Sequence, residues 1–313
     1  MKVFLVIVLA VSILNANNNI TKELTLSTLN STSYEIVNDP NTGKQISELI
    51  WEAKGVNMIG LKLNYQIQDS HIISLSYKTN ITDGDSVMDD YDWIKDYTTE
   101  WSHWSHHPNT KLESLTIFDL NFNRKISPIF NMESYFVVGY KVENKKFKAY
   151  DGSFIYSSDY GFRDNIFDMT GLGITYEETF NTLYTGLSMS KKYSKFILKG
   201  KLLYSPLVKS KNKDNHHNRS FINSNTFGNT TMISLDLGAE IPYKINTKFE
   251  ITYSNVKYSE TSGTTRRRYY ADTYYKDDKG NIQLIPEGTL NVYGGAGISN
   301  SYSMLNISIM HKF

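Results

Sequence analysis

The sequence of 313 residues contains no cysteine, only six prolines, and no apolar run beyond its N-terminus that approaches a membrane helix. A chain without cysteine cannot use disulfides, so its rigidity must come from hydrogen-bonded sheet or from a packed core. The scarcity of proline, together with 23 tyrosines and 15 phenylalanines, favours β-strands. A formal net charge of +1 gives no argument for a nucleic-acid partner.

The N-terminus has the parts of a secretory signal peptide. Lys2 supplies the positive charge, an apolar run follows from Val3 to Leu14, and Ala16 is a small residue at a plausible cleavage point. A retained anchor is the alternative, but about 12 apolar residues are too few to span a bilayer. We therefore expect a signal peptide at residues 1–16 and a single exported domain at residues 17–313.

Apolar residues alternate with polar ones in several segments, which is the period of a β-strand with two unlike faces. The pattern is clearest in residues 59–67, 233–241, 249–253 and 305–309. Ten strands are predicted, at about residues 20–30, 45–67, 71–80, 113–124, 134–149, 171–190, 195–207, 231–241, 248–262 and 297–313.

The predicted connections alternate between short turns and long polar loops. The loops fall at about residues 31–44, 81–112, 150–170, 208–230 and 263–296. An even number of strands, long loops on one side and a final aromatic residue, Phe313, indicate an all-β, ten-stranded antiparallel transmembrane β-barrel. Several strands exceed the roughly 9–11 residues that cross a bilayer, so the barrel should protrude above the outer leaflet. A soluble β-sandwich is the alternative fold.

Two acidic signatures stand in the second and fourth of these loops. The first is Asp90-Tyr91-Asp92-Trp93 and the second is Asp214-Asn215-His216. On an extended backbone, Asp214 and His216 share a face, where a carboxylate can orient an imidazole and stabilise its charged form. If the first acidic pair faces this dyad, it can position a water molecule. A solvated acidic surface or a loose cation site is the competing interpretation.

Several longer motifs occur in order along the chain, and their order and spacing make the chain resemble the omptin family of outer-membrane endopeptidases over its mature length. They include Met88 to Trp93 (MDDYDW), His107 to Thr110 (HPNT), Phe118 to Asn121 (FDLN), Gly152 to Ser158 (GSFIYSS), Gly161 to Asp164 (GFRD) and Gly297 to Asn300 (GISN).

The resemblance implies an outer-membrane barrel whose active groove faces the exterior and whose substrates are peptides and proteins at the cell surface. The family's paired aspartates match Asp90 and Asp92, which would bind and polarise the attacking water. Its Asp–His dyad matches Asp214 and His216, with His216 as the general base. The resemblance implies neither a covalent acyl-enzyme nor a metal ion.

Substrate-binding positions match the family only in part. Glu35 matches an acidic group that binds the basic residue before the cut, with a solvated loop residue as the alternative role. Asn212 stands where the acidic partner of that group is expected. His103 replaces a further acidic residue. We therefore expect a preference for Arg or Lys that is weaker than in relatives, with an altered second subsite.

The resemblance also implies that lipopolysaccharide is needed for activity, with no other cofactor. Tyr140 matches one lipid-binding position on the outer wall, while the neighbouring acidic and basic positions carry Val142, Asn144 and Thr179 instead. Lys145 and Lys146 lie nearby.

Other functions compete with that of an endopeptidase. The same barrel could be an adhesin or invasin without catalysis, a pore, or a hydrolase using zinc held by histidines. Retention of all four residues at the catalytic positions favours the endopeptidase. The run Arg266-Arg267-Arg268 is interpreted as a solvated loop or a site of self-cleavage. The histidines that a zinc site would draw on are His103, His106, His107 and His217.

Overall fold

The computed structural model describes residues 19–276 and 281–312. The expected signal peptide and Phe313 lie outside these ranges. The strands are β1 (Ile20–Asn38), β2 (Gln45–Ile67), β3 (His71–Asn80), β4 (Asp85–Asp92), β5 (His103–Ile129), β6 (Met132–Tyr156), β7 (Asn165–Lys192), β8 (Ile197–His216), β9 (Phe221–Lys244), β10 (Thr247–Tyr269), β11 (Thr273–Lys276), β12 (Ile282–Ile285) and β13 (Leu290–Lys312).

The strands form a closed antiparallel barrel. Neighbours pair in chain order, and β1 closes the sheet by pairing with both β2 and β13. Strands β3 and β4 run in the same direction between β2 and β5, so they are two pieces of one barrel strand. The barrel therefore has ten strands, and β11 with β12 forms a separate hairpin. The predicted fold is confirmed.

The outer surface carries a belt of apolar side chains, and the interior at the level of this belt is lined mainly by polar ones. This is the reverse of a soluble protein and is the arrangement of a membrane barrel. Closure also leaves no strand edge that lipid would fail to satisfy. Because the strands form one closed sheet rather than two packed sheets, a β-sandwich is excluded. Exposed members of the belt include Leu24, Leu26, Leu120, Phe122, Tyr140, Leu202, Leu207, Leu235, Tyr253 and Ile307.

The strands extend well beyond this belt at one end, called here the upper end. Glu35 lies nine residues beyond Leu26 on β1, and Asp214 lies seven residues beyond Leu207 on β8. At roughly 3.3 Å per residue, the upper barrel rises well above the lipid even with tilted strands. The predicted protrusion is confirmed.

Most of the predicted strand boundaries at the upper end are wrong, although the predicted start of β2 at Gln45 is correct. Most of the residues expected in long loops continue the strands, and the actual upper connections are residues 39–44, 93–102, 157–164, 217–220 and 270–289. Above the lipid the outer face of a strand meets water and no longer needs to be apolar, so the apolar–polar alternation fades although the backbone ladder continues. As a result, the candidate site residues expected in loops lie on strands, namely Glu35 on β1, Asp90 and Asp92 on β4, and Asn212, Asp214 and His216 on β8.

The upper interior is packed. Trp51 is fully buried, stacks on Tyr176 with ring centroids 5.1 Å apart, and contacts Phe147 at 5.5 Å. Beside these rings, Lys145 and Glu178 form a buried ion pair of 3.0 Å. Such a packed interior argues against a plain pore and supplies a rigid floor for the residues above it. No helix within residues 19–276 and 281–312 has the length and apolar character to span a membrane.

Candidate active site

One wall of the upper interior carries Asp90 and Asp92. Both side chains project inward from β4, and Asp90 accepts a hydrogen bond of 3.2 Å from the Ser47 hydroxyl on β2. Asp89 alternates to the outer face, where its Oδ1 accepts from Trp104 Nε1 at 3.1 Å and lies 2.9 Å from His106 Nδ1. Strand periodicity thus selects two of the three neighbouring aspartates for the interior.

The facing wall carries the Asp214–His216 dyad. Both side chains lie on the inner face of β8, where His216 Nε2 is hydrogen-bonded to Asp214 Oδ2. Asn223 Nδ2 donates to the same carboxylate oxygen at 3.4 Å, and the His216 ring packs on Phe221 with centroids 4.5 Å apart. Since Nε2 is engaged with the carboxylate, Nδ1 is the ring nitrogen left to accept a proton.

The two walls lie within electrostatic reach of each other. The charge of Asp214 raises the pKa of Asp90, and His216 lowers the pKa of Asp92. All four side chains that the sequence singled out therefore line one cleft in the upper interior.

Burial and mutual repulsion make the Asp90–Asp92 pair hard to ionise fully. Burial, then the charge of Asp92, raises the pKa of Asp90 well above its usual range, and Asp214 adds to the effect. Burial also raises the pKa of Asp92, although the Ser47 hydroxyl and Arg219 oppose the shift. Two adjacent carboxyl groups of this kind resist carrying two negative charges at once.

A pocket of hydrogen-bond acceptors lies at one end of the cleft. Glu35 is 2% exposed, and its Oε1 accepts a hydrogen bond of 3.2 Å from Asn225 on β9. Asn225 is the direct cross-strand partner of Asn212, whose Nδ2 donates to the Tyr176 hydroxyl at 3.2 Å. Among the described residues, Glu35 Oε2 and Asn212 Oδ1 are buried without a hydrogen-bond partner. A ligand rich in N–H donors, such as an ammonium or guanidinium group, would satisfy both.

The carboxyl group of Glu35 is held toward its neutral form. Burial raises its pKa well above the usual range, and the charges of Asp214, Asp90 and Glu178 add to this shift. Arg267 opposes it.

Arg267 and Arg219 are site residues that the sequence interpretation missed. Arg267 was assigned to a solvated run, but its Nε donates to Asn223 Oδ1 at 2.9 Å and its guanidinium lies 4.1 Å from the Phe221 ring. The period of two along β10 was the available signal, since it turns Arg267 inward and its two neighbours outward. Arg219, in the 3₁₀ turn His217–Arg219, interacts electrostatically with both Asp90 and Asp92.

The lipid-binding candidate Tyr140 lies on the outer wall near the upper edge of the apolar belt. It is 42% exposed, and its hydroxyl donates to Asn181 at 2.9 Å. Of the two nearby lysines, Lys145 faces the interior and pairs with Glu178, so it cannot meet lipid. Lys146 faces outward and pairs with Glu113 at 3.2 Å and with Glu177 at 3.1 Å.

The four histidines considered as zinc ligands have separate surroundings. His103 Nδ1 lies 3.0 Å from Ser102 Oγ, and His106 lies beside Asp89. His107 is buried with Nε2 3.3 Å from Ser105 Oγ, and His217 Nε2 is 2.9 Å from Thr175 Oγ1. In the part of the chain that the structure describes, no three histidine or acidic side chains converge as metal ligands. The geometry therefore offers no support for a zinc site there.

A closed barrel with a lipid-facing belt and a polar interior defines an outer-membrane β-barrel protein, here with an acidic cleft above the membrane. The Omptin family model matches residues 16–313. The chain therefore belongs to the omptin family, and it is a protein of the outer membrane, as the sequence motifs predicted.

Similar proteins include Protease 7 of Escherichia coli K12, at 27% identity over 306 residues, covering 95% of this chain and 91% of that protein. The plasminogen activator of Yersinia pestis is 26% identical over 289 residues, covering 91% of this chain and 86% of the relative. The outer membrane protease IcsP of Shigella flexneri is 26% identical over 254 residues, covering 79% and 80%.

The crystal structure of the outer membrane protease OmpT from Escherichia coli superimposes with a TM-score of 0.83 at 24% identity. The match covers 94% of this chain and 97% of that one. At this identity the likeness establishes the barrel fold.

Proposed function

We propose that this omptin is a cell-surface endopeptidase that hydrolyses peptide bonds next to basic residues. The observation that carries the proposal is the cleft itself, with the Asp214–His216 dyad on one wall and the Asp90–Asp92 pair on the facing wall. Its relatives named as proteases support the same reaction class.

In the proposed reaction, a water molecule held between the walls attacks the peptide carbonyl. His216 Nδ1 takes the proton of the water, and Asp214 stabilises the imidazolium that forms. A base in this position contributes roughly 10²–10⁴ in rate. The imidazolium then returns the proton to the leaving amine. Because water and not a side chain is the nucleophile, no acyl-enzyme forms. The protonated member of the Asp90–Asp92 pair donates a hydrogen bond, and the ionised member polarises the water.

We assign the residue before the cut to the pocket of Glu35, Asn212 and Asn225. A basic side chain there would satisfy the buried acceptors Glu35 Oε2 and Asn212 Oδ1 and would favour the ionised form of Glu35. Because Asn212 is neutral, the preference for Arg or Lys rests chiefly on Glu35.

We further propose that lipopolysaccharide is required for activity and binds the outer wall beside Tyr140. Support comes from the position of Tyr140 at the edge of the apolar belt and from Lys146 above it. Its acyl chains would lie against the belt and its phosphates near Lys146. Lys146 already contacts two glutamates, so this binding should be weaker than at an uncompensated basic site.

The test is to refold the protein with and without lipopolysaccharide and to assay peptides containing adjacent basic residues, with and without a chelator. The proposal predicts cleavage that depends on lipopolysaccharide and is insensitive to chelation. Activity lost to the chelator and restored specifically by zinc would refute the metal-independent mechanism. Equal turnover without lipopolysaccharide would refute the lipid requirement alone.

A further inference from the structure

The catalytic groups divide the cleft into two ends of different chemistry. Asp90 and Asp92 project from β4, and the dyad projects from β8 on the opposite side of the barrel. Going around the barrel one way from β8, strands β9, β10, β13 and β1 bring in Asn225 and Glu35. Going the other way, β7, β6 and β5 lead to a second group of side chains.

This second end is built on His103 and Tyr156. His103 on β5 is the direct cross-strand partner of both Asp92 on β4 and Tyr156 on β6. The imidazole and phenol rings lie with centroids 4.5 Å apart, and Ser102 Oγ lies 3.0 Å from His103 Nδ1. The two rings therefore form a wall immediately beside the catalytic carboxylates.

Arg219 covers this end from the opposite wall. It follows the dyad by three residues, in the 3₁₀ turn that joins β8 to β9. Its guanidinium lies within electrostatic range of the Tyr156 hydroxyl and of Asp90 and Asp92. Arg219 is also exposed to solvent. A guanidinium has five N–H donors, more than its neighbours at this end could occupy through a single contact.

We propose that the Arg219 end of the cleft receives the residue after the cleaved bond and selects an acidic side chain, Asp or Glu, over a basic one. The inference rests on the proposed function, because the scissile bond must lie between the two catalytic walls. If the Glu35 pocket holds the residue before the cut, the residue after it meets His103, Tyr156 and Arg219.

The charges at this end support an acidic ligand. Arg219 presents a fixed positive charge and a fork of donors that matches a carboxylate. Asp90 and Asp92 are the opposing charges, but both already interact with Arg219, and Asp92 also interacts with His103. A lysine or arginine after the cut would have to displace the Arg219 guanidinium from the carboxylates, whereas a glutamate would bind its solvent-exposed side.

The experiment compares three peptides that differ only after the cut, with Arg before it and Glu, Gln or Lys after it. They are assayed with the lipopolysaccharide-refolded wild type and with Arg219→Gln, Arg219→Glu and Arg266→Gln. The Arg266 side chain is exposed on the adjacent β10, so Arg266→Gln makes the same change of charge away from the cleft. Folding of each variant is checked by its heat-modifiable mobility on gels.

The wild type and Arg266→Gln should cleave the Glu peptide with a kcat/KM about tenfold or more above that of the Lys peptide, as one charge-assisted contact implies. Arg219→Gln should bring the two within about threefold, and Arg219→Glu should reverse their order. Cleavage of all three peptides without this order, or an unchanged order in both Arg219 variants, would overturn the inference and leave the endopeptidase standing. No cleavage of any of the three peptides by the wild type would instead contradict the proposed function.

Discussion

Asn225 on β9 donates a hydrogen bond of 3.2 Å to Glu35 on β1, which joins two residues 190 positions apart across the barrel interior. Asn225 is also the cross-strand partner of Asn212. These three residues therefore form one pocket, although they come from three strands. The sequence resemblance had paired Glu35 with position 212, and the structure adds Asn225 as the residue that connects them.

The specificity of this pocket should depend on the number of carboxylates in it. Asn212→Asp adds a second acidic group for a basic side chain, and each charge-assisted hydrogen bond contributes about 1.5–3 kcal/mol. We expect this variant to increase discrimination for Arg over a neutral residue by about tenfold or more, and Glu35→Gln to remove most of it. A cleavage-profile library run on the wild type and both variants measures this. Indistinguishable profiles would mean that neither residue lines the pocket.

Binding of basic substrates should strengthen as the pH rises. Burial and the charges of Asp214 and Asp90 raise the pKa of Glu35, so a substantial neutral fraction persists above the ordinary range of a glutamate. Raising the pH through this pKa ionises Glu35 and adds the charge that an Arg side chain needs. We expect KM for an Arg peptide to fall over this interval in the wild type.

The control for this prediction is Glu35→Gln, which keeps the shape of the pocket and does not titrate. Its KM should be higher and nearly independent of pH over the same interval. Because Asp90 also titrates in the cleft, kcat and KM must be measured separately. A wild-type KM that is flat with pH would contradict the assignment of Glu35.

Asp90 and Asp92 should act as one unit. Both carboxyl groups are buried and the ionisation of one opposes that of the other. Removing either aspartate should therefore disable the same catalytic step. We expect the double alanine variant to be little slower than the more damaging single variant, because residues that act together are strongly non-additive. Asp89→Ala is the matched control, since Asp89 points outward to Trp104 and His106. Single losses that multiply in the double variant would show that one aspartate only shapes the strand.

Within the belt, the sequence predicted the fold well because lipid and interior impose opposite demands on alternate residues. Residues such as Ile233 and Leu235 point to lipid, and Ser234 between them points inward. Above the membrane this contrast disappears, and the extended strands were therefore predicted as loops. The long β5, which begins at His103 rather than near residue 113, shows the error most clearly.

The acidic residues and the histidine that line the cleft were predicted better than the arginines that balance their charge. The four candidate catalytic residues and Glu35 were found through family motifs, and the structure places them together. Arg219 and Arg267 were not found, because their positions depend on a turn and on the register of β10. Lys145 was considered for the outer wall, yet the alternation of β6 turns it inward to Glu178. A shift of one residue along a strand moves a side chain from the interior to the outer surface, and motif matching does not resolve such a shift.

The dyad carries the central claim, and one comparison tests it most directly. His216→Ala and His217→Ala remove neighbouring imidazoles, but only His216 contacts Asp214, whereas His217 contacts Thr175. Peptide hydrolysis by the two refolded variants should be measured with lipopolysaccharide at neutral pH. The mechanism predicts a loss of about 10²-fold or more in kcat for His216→Ala and near wild-type turnover for His217→Ala. Near wild-type turnover in a correctly folded His216→Ala barrel would show that His216 is not the general base.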